Sequence, residues 1–154
     1  MTARASATTT FAISAGVPAT FDAAGYNALT YTAVGEVTGF GDFGAEWSVN
    51  SHMPVALRGT QKIKTGFDPG DMTLELALDT DDAGQVLMKS ALASTSLFAF
   101  RIVTTVGPLD KYYFQGFVKS WKVKVGDKSA TTTASAAIAI TTSITDVAIV
   151  EVLG

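Results

Sequence analysis

Residues 67–92, FDPGDMTLELALDTDDAGQVLMKSAL, change their hydrophobic period midway, and that change decides the fold class. Met72, Leu74, Leu76 and Leu78 occupy every second position, with Thr73, Glu75, Ala77 and Asp79 between them. Side chains of a strand alternate between its two faces, so the pattern predicts a strand with one dry and one polar side. Past the aspartates the period lengthens, and Leu87, Met88, Ala91 and Leu92 form one stripe of a helix over about 82–94. Asp82 stands at the N-cap position, and Gln85 follows three residues later as in a capping box, where each side chain bonds to the other residue's backbone N–H. Such a helix covers one face of a sheet.

Working outward, nearly all the remaining pattern has period two, punctuated by Gly, Asp, Asn and Pro. TFAIS (10–14) reads as a short first strand, GVPATFDAAGYNA (16–28) as turn-rich, and LTYTAVGEVTGF (29–40) as strand again. In LFAFRIVTTV (97–106), Phe98, Phe100 and Ile102 alternate with Ala99, Arg101 and Val103, and GPLD (107–110) reads as a turn. KYYFQGFVKSWKVKV (111–125) changes phase: Phe114 and Val118 are apolar in one register, Phe117, Trp121, Val123 and Val125 in the other, which predicts a bulge that we place at Gly116. In 129–150, Ala134, Ala136, Ile138 and Ile140 alternate with small or polar residues. The expectation is a mainly β chain of six or seven strands, a β-sandwich or partly open barrel with one flanking α-helix. Residues 1–10, rich in Ala, Ser and Thr, are expected to form an N-terminal arm, and 11–154 a single domain. Residues 39–60 show no sustained period and read as a long loop after the early strands, of the kind that serves function.

Composition narrows the chemistry. The 154 residues are 47% hydrophobic, enough for one sizeable core, and 11 basic against 14 acidic residues give a charge of -3, too mild for bulk attraction to nucleic acid. No cysteine is present, so disulfides, thiolate chemistry and cysteine-ligated zinc are excluded. The N-terminus lacks an apolar signal core, and no apolar run approaches the roughly 20 residues of a membrane span, so a soluble protein is expected. His52, the only histidine, sits beside Ser51 without a nucleophile elbow. GFGDFG matches G-x-G-x-x-G at Gly39, Gly41 and Gly44, but no helical pattern follows to hold a diphosphate. DTDDAG offers Asp79, Asp81 and Gly84 to a calcium loop, yet Ala83 and Ser90 occupy the places of a third ligand and the bidentate glutamate. Those carboxylates suit a helix N-terminus instead. Lys122 and Lys124 share one strand face, with Lys119 and Trp121 on the other, a pattern of a solvated face or of ion pairs between subunits. No catalytic, cofactor-binding or metal residue is expected, and no cofactor.

Three stretches in order, YTAVGEVTGFG (31–41), GTQKIKTGFDPGDMTLELALDTDDAGQVLMKSAL (59–92) and YYFQGFVKSWKVKVGDKSATTTASAAIAITTSI (112–144), resemble the tail tube (major tail) proteins of long, flexible-tailed bacteriophages. The end, TTSITDVAIVEVLG, departs from the isoleucine-rich strand and glycine turn common in that family. The resemblance implies hexameric rings stacked into a hollow tube through which DNA leaves the capsid. It implies a homo-oligomer whose partners are other tail proteins (tape measure, tail terminator, baseplate or tip) and DNA in transient, non-specific passage, with no membrane. The location implied is the virion tail, and the host cytoplasm before assembly. Within that frame Thr73 and Glu75 are expected to face an acidic or neutral lumen. Asp42, Glu46, Trp47, His52 and Arg58, in the loop at 41–58, are expected to touch the adjacent ring. A monomeric β-sandwich binding module, carbohydrate-binding or adhesin-like, is the alternative. It would show a surface row of aromatics, whereas Phe98, Phe100, Phe114 and Phe117 sit in positions that suit a core.

Overall fold

Met72, Leu74 and Leu76 are completely buried while Asp71, Thr73 and Glu75 between them are exposed, so the strand at the centre of the sequence argument has the two faces its alternation requires. The computed structural model describes residues 7–105, 109–143 and 147–153. Among these the elements run β1 (Thr10–Ser14), α1 (Ala23–Asn27), β2 (Thr32–Val34), β3 (Val37–Phe40), β4 (Glu46–His52), β5 (Gln61–Asp68), β6 (Asp71–Ala77), α2 (Ala83–Ala93), β7 (Phe98–Thr104), β8 (Asp110–Lys124), β9 (Thr133–Thr141) and β10 (Ile149–Val152).

The main sheet is antiparallel and open, in the order β2-β1-β7-β8-β9-β6-β3, with β10 also on β8. The 15-residue β8 is its pivot. Its first half pairs with β7 on one edge and β10 on the other, and from Gln115 to Lys124 it pairs with β9. The apolar faces of both halves and of α2 share one core: Phe11 and Ile13 of β1, Phe100 and Ile102 of β7, Phe114 of β8, Ile138 of β9, Leu74 and Leu76 of β6, and Met88 of α2. Each such side chain contributes about 1.5–3 kcal/mol on burial. A second, smaller cluster lies elsewhere on β7 and β8, where Tyr26 of α1 stacks on Tyr113 at 5.6 Å and Leu29, Tyr31, Val150 and Val152 close around them. Burial pushes the Tyr26 phenol from its ordinary 10.0 up to about 12.

Several expectations are revised. The described residues hold ten strands and two helices, not six or seven strands and one helix. α1, inside the stretch read as turns, is a single capped turn whose Asp22 carboxylate accepts the Gly25 N–H at 2.8 Å, which lowers the Asp22 pKa. Gly116 keeps regular register opposite Ile140, and the shift lies between Val118 and Ser120. Gly116 is instead a close approach, since a Cβ there would fall 2.2 Å from the Ala139 carbonyl oxygen. Phe117 therefore stays outside the core, 38% exposed, while Trp121 beyond the bulge packs against it. Residues 39–60 are not one loop, because β4 occupies 46–52. The tail returns to the sheet as β10, with Val150 opposite Tyr113. Half of the expected GPLD turn and most of the N-terminal arm lie outside the described residues, and Thr10 already belongs to β1.

Candidate functional site

The outer face of β6 continues across three neighbouring strands as a small, polar surface. Glu75 stands opposite Ser135 of β9, and Ser135 opposite Lys122 of β8; Thr73 stands opposite Ala137, and Ala137 opposite Ser120. Glu75 and Thr73 thus lie where the alternation put them, both exposed. On the far side of β6, Gly39 of β3 faces Glu75, and Gly41, just past β3, donates its N–H to the Thr73 carbonyl. Gly41 admits no side chain, since a Cβ would meet that carbonyl oxygen at 2.7 Å. The glycines leave a groove of about 170 Å3 lined by Gly39, Gly41, Thr73 and Glu75.

The charge of this face differs from the expectation of an acidic or neutral one. Lys122 and Lys124 line a shallow cavity of about 330 Å3 together with Glu75, Thr133 and Ser135. Lys119, expected on the opposite face, reaches over the bulge to form an ion pair with Asp71, a neighbour of Thr73 and Glu75 on their face. A bulge re-aims side chains in this way. Both lateral margins of the surface are open among the described residues: β3 pairs only with β6, and residues 117–124 of β8 pair only with β9. Unpaired strand edges are templates for another strand.

The expected ring-contact residues gather on a second feature. Glu46, Trp47 and His52 belong to β4, which among the described residues pairs antiparallel with β5 and with no other strand; Asp42 precedes the hairpin and Arg58 lies in its tip. Trp47 packs on Phe67 across the strands at 4.8 Å, the Lys64 ammonium lies 5.2 Å from the Trp47 ring centre, and His52 faces Gln61. Every residue of β4 is exposed, and Trp47, Val49, Met53, Leu57 and Ile63 leave large apolar surface in solvent. An isolated two-stranded ribbon is marginally stable at best, and contiguous exposed apolar surface marks a contact site. Sequence reasoning missed Ile63, Lys64 and Phe67; the alternation of Lys62 and Lys64 with Ile63 and Thr65 was the signal available.

Asp82 and Gln85 form half of the expected capping box. Asp82 accepts the Gln85 N–H at 3.0 Å, but Gln85 does not return the bond to Asp82. Its buried amide accepts from Asp79 N at 3.0 Å and donates to Gly35 O at 3.1 Å and Ala77 O at 2.9 Å. These residues secure the helix to the sheet. Among the described residues no His, Cys, Asp or Glu cluster could hold a metal ion, and no helix is long and apolar enough to cross a membrane.

No protein-family model matches the chain, and no curated protein matches it. Solved structures do. The SPP1 tail tube, determined by solid-state NMR and cryo-EM, superposes with a TM-score of 0.61 at 12% identity, covering 84% of this chain and 71% of the other. The baseplate of the anti-feeding prophage, a sixfold-symmetrised cryo-EM structure, superposes with a TM-score of 0.61 at 9% identity, covering 90% of this chain and 91% of the other. At such identities the likeness shows the fold alone, and this chain shares its fold with these two phage-type tail structures.

Proposed function

We propose that this chain is the structural subunit of a phage-type tail tube, assembling into hexameric rings that stack around a channel for DNA. One observation carries the reading: the sheet segment β8-β9-β6-β3 has a core-packed inner face, a small polar outer face, and, among the described residues, an unpaired margin on each side. A single chain cannot satisfy both margins. A ring of copies, each adding its β3 to the next copy's β8, closes the surface into a barrel without edges. Repetition of a heterologous contact along the axis gives a filament, and the β4–β5 hairpin, apolar and unsupported by its own domain, suits the contact with the adjacent ring. In that arrangement Thr73 and Glu75 line the channel. The wall is mixed in charge, which keeps the counterion release that drives tight DNA binding small and lets the polymer slide. The partners are then other copies of the chain and the tail proteins that start and end the tube, in the virion tail and, before assembly, the host cytoplasm.

Sedimentation and negative-stain microscopy of the concentrated full chain test the reading. Hollow tubes of constant diameter are expected. A monomer that persists at millimolar concentration overturns the proposal and favours the solitary binding module.

A further inference from the structure

We propose that Glu75 forms an ion pair with Lys122 or Lys124 of a second copy of this chain, seated through the glycine groove at the β3 margin. The inference rests on the tail-tube reading and specifies its lateral contact. Three observations carry it.

Charge is distributed unevenly across the open surface. The β8 margin presents Lys122 and Lys124, and the opposite side presents Glu75 one strand in from the β3 margin. Joined head to tail, one copy's basic margin meets the next copy's acidic one.

The Glu75 carboxylate also leans toward the margin. A Cβ built on Gly39 would lie 3.4 Å from Glu75 Oε2, so the carboxylate reaches over the edge strand, although Glu75 also borders the cavity that holds Lys122 and Lys124 of its own chain. Among the described residues the side chains of Glu75, Lys122 and Lys124 make no hydrogen bond or ion pair. Strands lie about 4.8 Å apart, so Glu75 is two strands from its own Lys122 and would be two strands from a lysine on a copy paired with β3. The intervening residue differs: Ser135 within the chain, Gly39 across the seam.

Finally, β3 is bare where a side chain would block the path. Gly39 and Gly41 leave the groove of about 170 Å3, with Glu75 and Thr73 along it and the open strand edge beside it. A lysine stem entering over Gly39 would lie in this groove and bring its ammonium to the carboxylate. The pairing also neutralises cations that would otherwise stand free on the channel wall.

Charge reversal in separate subunits tests the contact. Glu75→Lys alone and Lys122→Glu/Lys124→Glu alone should each remain folded monomers, with like charges facing across every seam and the concentration for assembly raised by roughly ten-fold or more. An equal mixture of the two should co-assemble, because in an alternating ring every seam regains an opposite pair. A pair within one chain predicts no such rescue, since each variant then carries its own repulsion in every environment. Failure of the mixture to assemble when the wild type forms tubes, or normal tubes from either variant alone, overturns the ion pair and leaves the tail-tube reading standing. A wild-type chain that forms no tubes overturns both. Circular dichroism melts of each variant verify that the monomers are folded.

Discussion

Asp82 Oδ2 accepts the backbone N–H of Gly35 at 3.0 Å, joining the start of α2 to the turn between β2 and β3 across 47 residues of sequence. The same oxygen caps the helix by accepting the Gln85 N–H. A cap of this kind is worth about 1 kcal/mol, and leaving a second, partly buried N–H without a partner adds roughly as much. Asp82→Ala should therefore destabilise the monomer by about 2 kcal/mol in urea unfolding, and Asp82→Asn, which keeps an acceptor, by clearly less. An unchanged midpoint for Asp82→Ala would show that the carboxylate is not a tie between helix and sheet.

Gln85 is the more demanding position. It is 1% exposed and satisfies one N–H and two carbonyls from two segments far apart in sequence, the end of β6 and the turn between β2 and β3. Leucine fits the volume but pairs with none of them, so Gln85→Leu should cost about 3 kcal/mol despite its greater hydrophobicity, because buried backbone groups are left unpaired. Equilibrium unfolding measures this directly, and a neutral or stabilising result removes the network from the account of the fold.

What the sequence makes legible is what this chain buries within itself. Met72, Leu74 and Leu76 alternate because one side faces the core, and α2 shows a stripe because Met88 and Ala91 face it too. β4 shows no period because the hairpin buries almost nothing in the isolated chain, and the brief alternation at Lys62–Thr65 in β5 is the one trace of a strand there. The phase change predicts a bulge but fixes only an interval, and glycine is the default occupant of one; Gly116 serves close contact with Ala139 instead. Misplacing the bulge by three residues sends Lys119 to the wrong face. α1, five residues long, is too short for a helical period to appear. The gathering of Glu75, Ser135 and Lys122 on one row depends on strand order, which periodicity does not contain.

The tyrosine cluster should make stability fall on the alkaline side. Burial holds Tyr26 neutral up to about 12, against an ordinary 10.0, and Tyr31 is raised in the same direction, first by burial and then by Tyr113. Between those values the folded chain retains a proton that the unfolded chain has released, so stability falls as pH rises. The contribution is complete below pH 10 and lost on passing through about 12. Tyr26→Phe keeps the backbone carbonyl that accepts from the Tyr31 hydroxyl at 3.0 Å, and should flatten part of this slope. Urea midpoints from pH 8 to 12 give the comparison; parallel curves for the two proteins would dissociate Tyr26 from alkaline unfolding.

Removal of the hairpin separates folding from assembly. Residues 46–68 contribute no side chain to either hydrophobic cluster, and Glu46 stands opposite Asp68, so their ends lie close enough for a short Gly-Ser linker to replace them. Phe43, which does pack against the core beside Tyr112 at 5.2 Å, stays in place. The shortened chain should unfold within about 0.5 kcal/mol of the full one, as surface changes do, and yet form no tubes. Trp47→Ala, which removes the ring that Phe67 and Lys64 hold in place, should weaken polymerisation in the same direction while leaving the monomer intact. Loss of monomer stability on deletion would mean that the ribbon supports the fold. Tubes of normal length from the shortened chain would move the axial contact elsewhere on the subunit.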